Sequence, residues 1–70
     1  MSNADKIKLI LEKRGITYVE LANRLGTSKQ NLYRKLHCRS IPEDDLKKIA
    51  EELNCTYESN FILNDTGEKI

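Results

Sequence analysis

The 70-residue sequence predicts a mainly α-helical domain in which four helices are followed by a C-terminal β-strand or short hairpin. Three observations support this prediction. Apolar residues recur at helical spacing as far as residue 53. Residues typical of helix caps divide that pattern into short segments. After Asn54 the apolar period changes to two, which is typical of a strand. We expect a single domain over residues 1–70, with a helical core at 5–54 and a C-terminal element at 55–70.

The first helix is predicted from about Ala4 to Arg14, with Ser2 or Asn3 as its cap. Gly15 ends it, because glycine adopts the left-handed conformation that often terminates helices. The helical spacing indicates a buried stripe made of Ile7, Ile10 and Leu11.

Two shorter helices follow, from about Tyr18 to Leu25 and from about Lys29 to His37. Thr17 and Glu20 have the spacing of a capping box, in which the two side chains satisfy each other's backbone N–H groups. Ser28 is placed to cap the later helix. The side chains predicted to lie on the buried faces are Tyr18, Leu21, Ala22, Leu25, Leu32 and Leu36.

The fourth helix is predicted from about Pro42 to Leu53. Ser40 and Glu43 repeat the capping-box spacing, and proline is favourable in a first helical turn. Asn54 is a suitable left-handed terminator. The apolar face is continuous and comprises Leu46, Ile49, Ala50 and Leu53.

A strand is predicted over residues 55–63, because apolar side chains alternate there. Residues 64–67 read Asn-Asp-Thr-Gly and predict a turn, after which residues 68–70 could return as a very short second strand. We expect this return to be too short to cover the first strand. One face of the predicted strand carries Cys55, Tyr57, Phe61 and Leu63, and the other carries Thr56, Glu58, Asn60 and Ile62.

Charge is distributed unevenly along a chain whose net charge is only +1. Residues 1–40 hold nine basic residues against three acidic ones, a balance of +6. Residues 41–70 hold three basic residues against eight acidic ones, a balance of −5. This asymmetry favours a basic surface that faces phosphate and an acidic remainder that faces water or a partner. A chance distribution over a solvated surface is the alternative.

The composition argues against several other classes of protein. One histidine and two cysteines, Cys38 and Cys55, supply neither a zinc-ligand set nor a nucleophile paired with a base. The sequence has no glycine-rich phosphate loop, so we expect no enzyme activity, cofactor or metal site. It also has no apolar run of about 18 residues and no signal-like N-terminus, so we expect a cytoplasmic protein without a membrane partner.

The residues from Thr17 to Leu36 resemble the helix-turn-helix of the Cro/C1 repressor family, in the pattern formed by Leu21-Ala22, Gly26, Ser28 and Leu32. The resemblance covers roughly residues 5 to 54. It implies a four-helix repressor-like fold whose third helix enters the DNA major groove. The chain departs from the family at Lys35, where an apolar residue is common, which predicts a rotated or irregular exit from the third helix. The residues after Asn54 predict a strand where many phage repressors have a further helix.

Base reading is predicted for Lys29, Gln30 and Arg34, which share the exposed side of the third helix. Glutamine pairs with adenine, and lysine or arginine pairs with guanine. The resemblance implies base contacts at the same three positions. A solvated helix face is the alternative reading of these charges. Contacts to the DNA backbone, or secondary contacts, are predicted for Thr17, Tyr18, Ser28, Asn31, Tyr33 and Arg39, with His37 beside them.

The sequence therefore predicts a sequence-specific regulator that binds double-stranded DNA. We expect it to be a phage- or mobile-element-like repressor without a small-molecule effector. We expect a homodimer joined through the C-terminal strand, with contacts from Tyr57, Phe61, Ile62 and Leu63. In a competing arrangement the strand folds back on its own helices and leaves a monomer. The alternative function is a protein-interaction module, antitoxin-like or scaffold, that binds another chain through this strand.

Overall fold

A computed structural model describes residues 2–38, 40–58 and 60–70 of the chain. It confirms the mainly α-helical class with a short C-terminal hairpin. Among the described residues, no helix is long and apolar enough to cross a membrane. The elements are α1 (Asn3–Arg14), α2 (Tyr18–Leu25), α3 (Lys29–Leu36), α4 (Glu43–Glu52), β1 (Cys55–Tyr57) and β2 (Phe61–Leu63).

Side-chain caps begin the first three helices where the sequence predicts them. Ser2 and Asp5 form a complete capping box, so α1 starts one residue before its predicted position. The Thr17 hydroxyl accepts the Glu20 N–H at 3.2 Å. The predicted return bond from the Glu20 carboxylate to the backbone of Thr17 is absent, because that carboxylate instead accepts the Thr17 hydroxyl at 3.4 Å. Only half of this predicted capping box is therefore formed.

The start of α4 corrects a second capping prediction. Pro42 is the N-cap, and no side chain caps this helix. Ser40 lies two residues before the cap and Glu43 is already the first helical residue, so the two are out of register for a capping box. Three acidic residues in the first turn still complement the helix dipole. At the other end, Asn54 has a φ of 56°, as its predicted role as a terminator requires.

The C-terminal segment is a hairpin rather than the single strand predicted over residues 55–63. β1 and β2 pair antiparallel, with Thr56 opposite Ile62. The chain reverses in the residues between the strands, where the Glu58 N–H donates to the Asn60 carbonyl at 2.9 Å. The expectation that residues 68–70 cannot cover the strand is also wrong, because the Leu63 N–H donates to the Glu68 carbonyl at 2.9 Å and a bridge joins Ile62 to Lys69. Both edges of β2 are therefore paired.

One hydrophobic cluster joins all four helices to the hairpin. Phe61 is 0% exposed within it. The Cys55 thiol is also buried, which raises its pKa against an opposing effect of Arg14, so the thiol stays protonated and packs as an apolar group. The buried residues are Ile7, Ile10, Leu11, Leu21, Ala22, Leu32, Leu36, Leu46, Ile49, Ala50, Leu53, Cys55, Phe61 and Leu63.

Arg14 fastens the end of α1 to the hairpin. Its Nε donates to the Leu53 carbonyl at 3.0 Å, and Nη2 donates to the Asn54 carbonyl at 3.1 Å. Nη1 and Nη2 also donate to the two carboxylate oxygens of Asp65, each at 2.8 Å. The guanidinium therefore supplies partners for carbonyls at the end of α4 and fixes the turn after β2.

Candidate nucleic-acid interface

The turn between α2 and α3 lets the two helices cross closely. Gly26 adopts a φ of 72°, which an L-amino acid with a Cβ rarely does. The next N–H, from Thr27, donates back to the Ala22 carbonyl at 2.9 Å. Ala22 is buried, and its small side chain leaves room for α3 to pack against α2. This arrangement holds α3 at the surface with Leu32 and Leu36 turned inward.

The three predicted base readers, Lys29, Gln30 and Arg34, are all exposed on α3. None of them forms a side-chain hydrogen bond or ion pair with the rest of the described chain. The eight residues of α3 include no aspartate or glutamate. The hydrogen-bond donors of Lys29, Gln30 and Arg34 are consequently available to a ligand. The positive charge of α3 favours a ligand that is anionic.

An aromatic cluster lies along one side of α3. The rings of Tyr18 and Tyr33 meet edge to face at 5.9 Å, and Tyr33 stacks on His37 at 4.1 Å. His37 Nδ1 lies 2.9 Å from the Tyr33 carbonyl, which can only accept, so this nitrogen carries the hydrogen. Burial raises the pKa of Tyr18, with smaller contributions from Tyr33, Glu12 and Asp5, so its phenol remains a neutral donor.

A groove of about 520 Å³ lies on the other side of α3, between this helix and α4. Lys35 and Asp45 meet in the groove at 3.5 Å. Lys48 also lines it, although in the sequence this residue indicates only a charge arrangement that suits the dipole of the fourth helix. The other lining residues are Leu25, Thr27, Asn31, Leu32, Arg34, Cys38 and Ile49.

Lys35 does not make α3 irregular before its end. The helix continues regularly through Leu36, and His37 then leaves helical geometry as the C-cap with φ −99° and ψ 13°. The helix is thus one residue shorter than predicted. The Lys35 side chain is 53% exposed, so it lines the groove at the surface instead of packing into the hydrophobic core.

Two predicted DNA-backbone residues act as helix caps in the folded chain. The Thr17 hydroxyl accepts the Glu20 N–H, and the Ser28 hydroxyl accepts the Asn31 N–H at 3.2 Å. Both residues are exposed at the N-terminal ends of helices, where the dipole favours an anion. Arg39, a further predicted backbone contact, lies outside the described residues.

Two of the four predicted dimerisation residues lie in the core of their own chain. Phe61 and Leu63 are buried, whereas Tyr57 and Ile62 are half-buried. The ring of Tyr57 packs on that of Phe61 at 5.0 Å. A surface contact between two chains would therefore use the backbone of the hairpin and its half-buried side chains more than Phe61 or Leu63.

This architecture, with a short exposed helix held across a second helix by a glycine turn, is that of a helix-turn-helix protein. A family model described as the Cro/C1-type HTH DNA-binding domain matches residues 6–59. The chain belongs to this family and is a DNA-binding regulator in general terms. No curated protein and no solved structure matches the chain significantly.

Proposed function

We propose that this protein is a transcriptional repressor of the phage or mobile-element type that binds double-stranded DNA sequence-specifically. In this proposal α3 reads the major groove. The supporting observation is that Lys29, Gln30 and Arg34 are exposed together on this helix with no partner among the described residues. Binding of an operator in the cytoplasm would exclude other proteins from the same DNA.

The dimensions of α3 suit this role. Eight residues at about 1.5 Å each give a helix roughly 12 Å long, comparable with the width of the major groove. The first turn, which carries Lys29 and Gln30, would lie deepest. Gln30 would pair with adenine through its amide, and Lys29 and Arg34 would donate to guanine O6 and N7.

The residues around α3 supply the contacts that position the helix. Phosphates carry no sequence information, but contacts to them fix the register of a protein on the duplex. Thr17 and Ser28 present hydroxyl groups at helix N-termini, and Tyr18 presents a neutral phenol. We assign contacts to the DNA backbone to Thr17, Tyr18, Ser28 and, from the sequence, Arg39. Asn31 and Tyr33 are assigned secondary contacts, to bases or phosphates.

We also propose that the protein acts as a homodimer through the outer edge of β1. The Asn64 N–H donates to the Asn54 carbonyl, and Glu58 bonds Asn60, so the peptide groups of Cys55 and Tyr57 point away from β2. In the described chain these outward groups have no backbone partner. Antiparallel pairing of two copies would place Cys55 opposite the partner's Tyr57 and would satisfy the groups of both chains.

Selection from random duplexes, followed by binding measurements on the selected site, tests the assignment of α3. Gln30→Ala and Arg34→Ala should each lose about 1–3 kcal/mol of binding free energy and relax the preference at one base pair. Lys69→Ala is the control, since Lys69 lies beside β2 rather than on α3. Full affinity in both α3 variants would show that another element reads the DNA.

A further inference from the structure

Tyr33 is a large aromatic residue that is exposed on the surface of α3. It is 48% exposed, whereas Leu32 and Leu36 of the same helix are buried. Its hydroxyl makes no hydrogen bond with any described residue. Packing in the hydrophobic core therefore does not explain why an aromatic residue occupies this position.

The Tyr33 ring is nevertheless held in place. Tyr18 supports it from one side in an edge-to-face contact, and His37 stacks nearly parallel to it with an angle of 21° between the ring planes. The hydrogen bond from His37 Nδ1 to the Tyr33 carbonyl fixes the stacked imidazole in turn. A ring that is already held in this way loses little conformational entropy when it contacts a ligand.

The position of Tyr33 places this ring beside two of the proposed base readers. Tyr33 follows Gln30 by three residues and Lys29 by four, and residues at these spacings are neighbours on a helix surface. The side chains of the two readers can reach polar base edges, but neither offers a broad apolar surface. Tyr33 adds that surface to the same side of the helix.

We propose that Tyr33 reads the 5-methyl group of a thymine in the major groove, an assignment that rests on the proposed DNA-binding function. The thymine methyl is the apolar feature that distinguishes base pairs in this groove, and an aromatic ring is a suitable partner for it. Tyr33 thus determines specificity through apolar contact, whereas Lys29, Gln30 and Arg34 do so through hydrogen bonds. Tyr18 and His37 are positioning residues for its ring.

The test replaces each thymine of the selected site in turn by deoxyuridine, which lacks only the methyl group. The parent protein should lose about fourfold in affinity at one position of each half-site, the effect expected for one buried methyl group. Tyr33→Phe keeps the ring and should show the same loss. Tyr33→Ala should bind the thymine and deoxyuridine duplexes equally, and its thermal unfolding should show that the fold is retained.

The other outcomes separate this inference from the proposed function. If deoxyuridine has no effect at any position while Gln30→Ala and Arg34→Ala weaken binding, α3 reads the DNA but Tyr33 does not read a methyl group. If Tyr33→Ala remains as sensitive to the missing methyl as the parent, the methyl contact belongs to another residue and the assignment is wrong. If no duplex is selected, the DNA-reading proposal fails and this inference fails with it.

Discussion

Arg14 illustrates what a single side chain contributes in a domain of this size. Its guanidinium joins the end of α1 to carbonyls 39 and 40 residues later and to a carboxylate 51 residues later. The sequence indicates only a basic residue suited to the end of a helix, because helical spacing reports neighbours three or four positions away. Contacts at such long separations depend on tertiary packing, so the sequence pattern could not predict them.

The Arg14–Asp65 pair predicts a specific response to acid. The hydrogen bonds from Arg14 lower the pKa of Asp65 below its ordinary value of 3.8, although burial acts in the opposite direction. As the pH falls, the Asp65 carboxylate therefore becomes protonated at a higher pH in the unfolded chain than in the folded chain. The contribution of Asp65 to stability is present above its unfolded pKa and is lost as the pH falls through its folded pKa.

Asp65→Asn should consequently be less stable than the parent at neutral pH, and the difference should shrink as the pH falls below about 4. Urea unfolding at a series of pH values measures this difference. Glu58→Gln is a matched control, because Glu58 forms no ion pair among the described residues. A difference between parent and Asp65→Asn that stays constant from pH 7 to about pH 2 would contradict the proposed role of the pair.

At the scale of elements, the helices were predictable because each signal acts locally. Apolar spacing located all four, and α2 has the predicted bounds. The errors arose where two local readings competed. Ser40 and Glu43 have capping-box spacing, but Pro42 is itself the N-cap. Residues 55–63 alternate like one strand, yet the chain reverses within them. The pattern did not show this reversal, because alternation of apolar and polar residues can continue across a tight hairpin.

Two serines before helices provide a direct test of these capping assignments. Ser28→Ala removes the hydroxyl that accepts the Asn31 N–H and should lower the free energy of unfolding by about 1 kcal/mol. Ser40→Ala should change it by less than about 0.5 kcal/mol, since Ser40 caps no helix. Thermal or urea unfolding of both variants provides the comparison. Equal losses would mean that Ser40 supports α4 after all.

At the scale of the whole molecule, size favours a dimer. The longest dimension of the described chain is 30 Å. Successive half-sites on one face of DNA lie about 34–36 Å apart, and the reader α3 occupies only a fraction of one copy. Under the proposed function one copy would therefore read one half-site, and two copies joined about a two-fold axis would read a pseudo-palindrome. We propose that residues 1–70 form one domain that supplies both the reader and the interface.

The sequence alone could not identify the surface available for this interface. Phe61 and Leu63 lie in the core of their own chain, which leaves the edge of β1 as the part of the hairpin suited to pairing. Truncation after Asn54 would remove these two buried side chains. Losing a fully buried phenylalanine alone costs about 3–5 kcal/mol, so truncation would test folding rather than assembly.

A charge introduced at the edge of β1 tests assembly while leaving the core in place. Symmetric pairing would put Thr56 directly opposite the partner's Thr56, with α-carbons about 4.5 Å apart. Thr56→Lys would bring two like charges together there and should shift the protein from dimer to monomer at about tens of micromolar, an order of magnitude suited to a modest interface. Asn60→Lys adds the same charge at an exposed position outside β1 and should remain dimeric.

Sedimentation equilibrium measures the oligomeric state of both variants and of the parent. A monomeric parent would contradict the dimer itself, and a dimeric Thr56→Lys variant would place the interface on another surface, of which α4 is the next to examine.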